Sequence, residues 1–122
     1  MLIEEGYEIT TPHFGVEQSF LAVKTGMKDK NYPKAVIMCE YDALPGIGHA
    51  CGHSVSCGVS LLAALALNGA YQDLPFRIDI MGTPAEEYPG GKVFLIDAGA
   101  FEGYEFAVMA LYFIIIVLPL KC

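Results

Sequence analysis

Apolar residues in the first part of the chain come in short runs divided by turn formers. "SFLAVKTG" (19–26) and "KAVIMCEY" (34–41) are apolar and partly β-branched, and the turn-rich "MKDKNYP" (27–33) separates them. The pattern predicts two strands, joined as a β-hairpin or lying as neighbours. From Ser54 the pattern changes. "SVSCGVSLLAALALNGA" is rich in Ala and Leu and long enough for a helix; Ser54 is a plausible N-cap and Asn68-Gly69 a good stop. It is apolar nearly all round, which predicts burial on more than one side, as in a layered α/β protein. "PFRIDIMGT" (75–83) alternates and predicts a strand, "KVFLIDAGA" (92–100) a short helix ending at Gly99, and "YEFAVMA" (104–110) another strand. This order implies an α/β fold with a mostly parallel sheet and crossover helices. Two irregular loops, "DALPGIGHACGH" (42–53) and "PAEEYPGG" (84–91), leave strand ends, and ligands of such sheets gather at the carboxyl ends of strands.

Composition narrows the partners. With 122 residues the chain makes one small domain or part of a larger one, and 54% hydrophobic against 17% charged residues is globular rather than disordered. A net charge of -7 with only seven Lys and Arg argues against nucleic acid, whose phosphates need clustered cations. The acidic start "MLIEEGYEIT" lacks the basic flank and apolar run of a signal peptide, so a cytoplasmic location is expected. Four cysteines at irregular spacing (39, 51, 57, 122) are then read as reduced thiols. Cys39, in its strand, and Cys57, in the helix, are assigned to packing.

The loops carry the candidate chemistry. Cys51 and His53 flank Gly52, which permits the bend that would let both side chains reach one ion. A helix N-terminus there would stabilise the thiolate, and thiolate plus imidazole suits zinc or a related metal. Adjacent Glu86 and Glu87 repel each other unless a cation is present or one holds a proton. With a shared metal, one carboxylate ligates and the other serves as general base toward a water whose pKa falls to roughly 7. His49 reads as a structural, hydrogen-bonded residue. A different chemistry stays open: Cys51 as a nucleophile activated by His53 or His49, giving a thiol amidase. So does a non-catalytic role, in which the chain binds metal structurally or pairs with an intact subunit and interferes with it.

"EYDALPGIGHACGHS" followed by "GTPAEEYPGGKVFLIDAGAFEG" resembles the aminoacylase and carboxypeptidase family of metal-dependent exopeptidases and amidohydrolases, the peptidase M-twenty family, over about Gly6 to Ala110. The resemblance implies a three-layer α/β/α zinc-exopeptidase-like catalytic domain, of which this chain is part, acting on a dipeptide or N-acyl amino acid. It also implies two divalent ions, zinc or manganese, and a homodimeric parent without a membrane partner. Carried over by position, Cys51, His53 and Glu87 would be metal ligands, Glu86 the general base, and Asp42 and His49 supports behind them. Glu40 stands where many relatives carry histidine, and Ser54 where Asp or Asn is usual. After "FAVMA" the family continues with His-Pro, whereas this chain reads Leu111-Tyr112 and then "FIIIVLPLKC". The expectation is therefore a domain over 1–110, an aberrant apolar tail over 111–122, and little or no catalysis by this chain. The fifteen uncharged residues from Phe106 to Leu120 are fewer than the ~20 that span a bilayer.

Overall fold

The computed structural model of the chain describes residues 1–73, 75–111 and 114–119. Six strands form one mixed sheet: β1 (Tyr7–Thr10), β2 (Phe20–Lys24), β3 (Lys34–Cys39), β4 (Arg77–Gly82), β5 (Phe106–Leu111) and β6 (Ile114–Pro119). Helix α1 (His53–Ala70) joins β3 to β4, and helix α2 (Gly91–Asp97) lies between β4 and β5. The spatial order is β1-β2-β4-β3-β5-β6.

Two expectations about the sheet are corrected. β2 and β3 form no hairpin and are not neighbours, because β4 lies between them, antiparallel to β2 and parallel to β3. The sheet is also not mostly parallel: β3 pairs parallel with β4 and β5, while β1–β2, β2–β4 and β5–β6 are antiparallel. The reason is connectivity. Only the two helical crossovers return the chain in the same direction, and they serve the central strands alone. β3, buried at every position after Lys34, takes the centre, where both edges are paired and both faces covered.

Alternating side chains of β3 feed two cores. Ile37 and Cys39 pack with Ala22, Ile80 and Ala64 of α1, whereas Val36 and Met38 pack with Met81, Met109, Leu95 of α2 and Tyr104. The helices therefore lie against opposite faces.

α1 departs from expectation in three ways. Its buried positions, His53, Ser56, Ser60 and Ala64, form one narrow stripe of mostly small side chains that lets the helix approach the sheet closely. The other side stays open, with Val55 62% and Leu62 69% exposed, so the helix is buried on one side only. By length and composition it is apolar enough to cross a membrane, yet here that stripe lies on the sheet. Its N-cap is Gly52 rather than Ser54, in a left-handed conformation (φ 75°) that supplies no side-chain cap. At the other end the helix passes Gly69 by one residue, and Asn68 is used elsewhere, donating from Nδ2 to the Tyr7 hydroxyl (2.8 Å) and the Ile78 carbonyl (3.2 Å).

Leu111 closes β5, and the backbone of 114–119 pairs antiparallel along it from Leu111↔Ile114 to Phe106↔Pro119. Of the apolar tail read in the sequence, Tyr112, Phe113 and 120–122 lie outside the described residues.

The topology decides where a site can form. β3 sends the chain over one face through α1, and β4 sends it over the other through α2 and back past β3 to β5. Adjacent strands whose connections leave to opposite faces open a crevice at their carboxyl ends. Cys39 and Gly82, the last residues of β3 and β4, stand in register at that crevice.

Candidate metal centre

The strand ends are tied together first. Thr83 donates its backbone N–H to the Cys39 carbonyl at 2.8 Å and its hydroxyl to the same oxygen at 3.3 Å. The residue after β3, Glu40, is only 2% exposed. The loop that follows ends at left-handed Gly52, which turns the chain directly into α1 and makes His53 its first residue, pressed into the crevice at 4% exposure.

His53 has its tautomer fixed by its neighbours. Nδ1 lies 3.1 Å from the backbone carbonyl of Asp42, an oxygen that can only accept, so Nδ1 carries the proton and donates. Nε2 is the ring nitrogen left for a ligand. It faces two carboxylates, Glu40 Oε2 at 3.6 Å and Glu86 Oε2 at 3.8 Å. A ring whose one nitrogen donates to a carbonyl while the other faces acidic side chains is the orientation of a metal-binding histidine.

The second loop is held against the first. Ala85 takes a positive φ of 53°, uncommon for a residue with a side chain, and its carbonyl accepts the N–H groups of both Gly90 (3.0 Å) and Gly91 (2.8 Å). Gly91 is required for steric reasons: a Cβ there would stand 1.9 Å from the Pro84 carbonyl oxygen. Glu86 donates its backbone N–H to Asp42 Oδ2 at 2.9 Å, which joins the two loops across the crevice. His53, Glu86 and Glu87 each present a ligand atom within 4.8 Å of the others.

The electrostatics fit a cation. Four carboxylates, from Glu40, Asp42, Glu86 and Glu87, meet one ammonium group here, Lys92 of α2, which bonds Glu40 Oε1. Glu40 Oε2 and Asp42 Oδ1 are buried without a hydrogen-bond partner, the latter 3.1 Å from His53 Nδ1, whose proton is directed to the carbonyl. Unpaired buried carboxylate oxygens are costly, and a positive ion offsets that cost. The residues present therefore suit a divalent metal, held by His53 Nε2 and one carboxylate of the adjacent Glu86–Glu87 pair, with the other carboxylate beside it.

Cys51 stands beside this group rather than in it. The residue is half-buried, and the neighbouring Glu87 carboxylate first, then desolvation and the charges of Glu86 and Asp42, push its thiol pKa up. His49 is exposed on the loop; its carbonyl accepts the Gly52 N–H at 3.1 Å, and its side chain makes no hydrogen bond or ion pair among the described residues. The pairing of Glu40 with Lys92 was not read from the sequence. An acid directly after a fully buried strand was the available signal for Glu40; Lys92, six positions beyond Glu86, gave none.

The fold and the crevice define an α/β protein with an imidazole and carboxylate site at the switch point of its sheet. No family model matches the chain. It is 43% identical over 106 residues to Xaa-Arg dipeptidase of Mus musculus, covering 81% of this chain and 25% of that protein. With Xaa-Arg dipeptidase of Homo sapiens it shares 51% identity over 78 residues, covering 60% of this chain and 18% of that protein. N-acetyl-L-cysteine deacetylase of Bacillus subtilis is 29% identical over 117 residues, with 80% of this chain and 28% of the relative covered. The chain belongs to the peptidase M-twenty family of hydrolases. It spans about a quarter of the length of the curated relatives it matches.

Proposed function

We propose that the protein to which this site belongs is a metal-dependent hydrolase that cleaves the amide bond of a dipeptide or N-acyl amino acid. The observation that carries this reading is the convergence of His53, Glu86 and Glu87 within 4.8 Å at the switch point of the sheet. The names of the matched dipeptidases and deacetylase point to the same reaction class.

His53 Nε2 and Glu87 would hold zinc or manganese, and Cys51, beside Glu87, would complete the ligand set as thiolate. A divalent ion bound there supplies Lewis acidity that polarises a carbonyl and acidifies water. The remaining work belongs to the chain. Glu86, its backbone fixed by Asp42 and its carboxylate half-exposed to the crevice, takes a proton from the attacking water and returns it to the leaving amine. Asp42 orients His53 through its backbone carbonyl and Glu86 through its side chain. Lys92 holds Glu40 in place through their ion pair.

The thiol amidase reading loses support from the same geometry. A nucleophilic cysteine needs its thiolate favoured, and three carboxylates around Cys51 favour the thiol instead.

The domain is read as part of a three-layer α/β/α catalytic domain, supported by helices on opposite faces of the sheet and by the apolar outer side of α1. The full enzyme holds two ions, is a cytoplasmic homodimer, and binds neither nucleic acid nor membrane. The present chain holds at most one ion and turns over little substrate. Zinc per folded chain, with hydrolysis of dipeptides and N-acyl amino acids, tests this. Stoichiometric zinc that is lost in His53→Ala and Glu87→Gln but kept in Glu86→Gln is expected. A folded chain that takes up no zinc overturns the proposal.

A further inference from the structure

The loop that carries Asp42 rests on an aromatic pair outside the convergent donors. Tyr41 lies between Glu40 and Asp42, and its ring stacks on Phe20, the first residue of β2, with centroids 6.0 Å apart and planes inclined by 23°. Phe20 packs in turn on the core that Ile37, Cys39 and Ile80 form with α1. Across the antiparallel β2–β4 pair it faces Gly82, and the ring fills the space a side chain would take there: a Cβ on Gly82 would stand 2.2 Å from Phe20 Cδ1 and Cε1. The requirement is for space, since Gly82 is a regular strand residue. At its outer end Tyr41 is held again, because its hydroxyl donates to the carbonyl of Gln18, a residue of the β1–β2 connection that takes a left-handed φ of 63°.

Tyr41 is thus gripped from the β2 side while both its neighbours serve the crevice. Glu40 Oε2 lies 3.6 Å from His53 Nε2; the Asp42 carbonyl accepts from His53 Nδ1 and its Oδ2 from the Glu86 N–H. Beyond Cys39 the chain has left the sheet, so no strand ladder sets where these two acids stand. A side chain must do so, and an aromatic ring stacked on another fixes its own backbone at the cost of only two torsions.

We propose that Tyr41, stacked on Phe20 over the bare backbone of Gly82, is a positioning residue of the metal centre, which sets the place of Glu40 and Asp42 and through them the orientation of His53 and Glu86. The proposal rests on the metal reading for its purpose, and on the stack, the close approach at Gly82 and the Asp42 contacts for its geometry.

The test follows amide hydrogen exchange at two positions of the folded, metal-free 122-residue chain. The Glu86 N–H, bonded to Asp42, reports the place of the loop, whereas the Arg77 N–H, bonded to the Pro33 carbonyl at 2.9 Å at the opposite end of β4, reports the stability of the sheet. Tyr41→Leu is expected to speed exchange at Glu86 by roughly 2- to 10-fold, the change in an equilibrium that loss of an aromatic pair produces, and to leave Arg77 unchanged. Tyr41→Phe, which keeps the ring, stays at the wild-type rate. Gly82→Ala, a change in β4 outside both loops, has the effect of Tyr41→Leu by pushing Phe20 aside, and adds nothing in a Phe20→Leu background. Zinc affinity, measured by competition with a chromophoric chelator, falls by the same factor in each variant that speeds Glu86. Unchanged Glu86 exchange in Tyr41→Leu, equal effects of Tyr41→Phe and Tyr41→Leu, or Arg77 exchange that rises in step with Glu86 overturns the proposal. A wild type that takes up no zinc removes the metal reading alone, and the exchange rates still decide the positioning. If Tyr41→Leu does not fold, Phe20→Leu and Gly82→Ala carry the same comparison.

Discussion

Asp42 is the residue whose removal most directly tests how the site is built. It contributes no ligand atom to the convergent group, yet Oδ2 accepts the Glu86 N–H at 2.9 Å, and Oδ1 lies 3.1 Å from the His53 ring. Asp42→Ala removes the bond between the two loops and one negative charge beside the donors, but leaves the backbone carbonyl that sets the His53 tautomer. Losses of partners behind metal ligands typically lower affinity ~10- to 100-fold, or about 1.4–2.7 kcal/mol. We expect that range for zinc, measured by competition with a chromophoric chelator at fixed pH. Asp42→Asn keeps an oxygen that can accept from Glu86 N–H and should recover part of the loss. The stability cost should be smaller, because the Asp42 side chain is 17% exposed and accepts one neutral donor. If the folded Ala variant binds zinc as the wild type does, the two loops are not coupled through Asp42 and the proposed site geometry is wrong.

Other outcomes follow from the same packing. Asp79, fully buried, accepts Arg77 at 2.8 and 2.6 Å and the Tyr104 hydroxyl at 2.7 Å, so Asp79→Ala strands a guanidinium and a phenol. A loss of about 3–5 kcal/mol is expected by denaturant melts, with zinc affinity per folded chain unchanged. Gly91→Ala drives a methyl into the Pro84 carbonyl and must displace the loop bearing Glu86 and Glu87. Zinc titration should show weaker binding there. Burial, with the charges of Cys57, Cys39 and Asp42 behind it, raises the Tyr41 phenol from 10.0 to about 12. A raised folded-state pKa gives stability that is complete below pH 10 and lost as pH rises toward about 12. Unfolding midpoints should fall through that window, and Tyr41→Phe should flatten the fall. An equal slope in the variant would assign the transition to other groups.

What the sequence determined by itself is local. The helix near residue 54, the strands at 34–41, 75–83 and 104–110, and the short helix before Gly99 all follow from apolar runs with glycine and turn stops, which act within a few residues. The two loops of unusual chemistry, with Cys51, His53, Glu86 and Glu87, were also legible, because such residue types amid glycine and proline stand out from core patterning. β1 was not, since four residues with one buried position carry no pattern of their own. The tertiary structure decided the rest. It placed β4 between β2 and β3, because a central strand needs partners on both edges and the helical crossover supplies one that the nearest strand in sequence does not. It left the outer side of α1 open, since burial depends on what packs there rather than on composition. It drew His53, Glu86 and Glu87 together while leaving Cys51 at the margin and His49 exposed. It also paired Glu40 with Lys92, a contact between elements far apart in the chain. Distance between residues of separate elements is fixed by the sheet's order and register, which no single segment encodes.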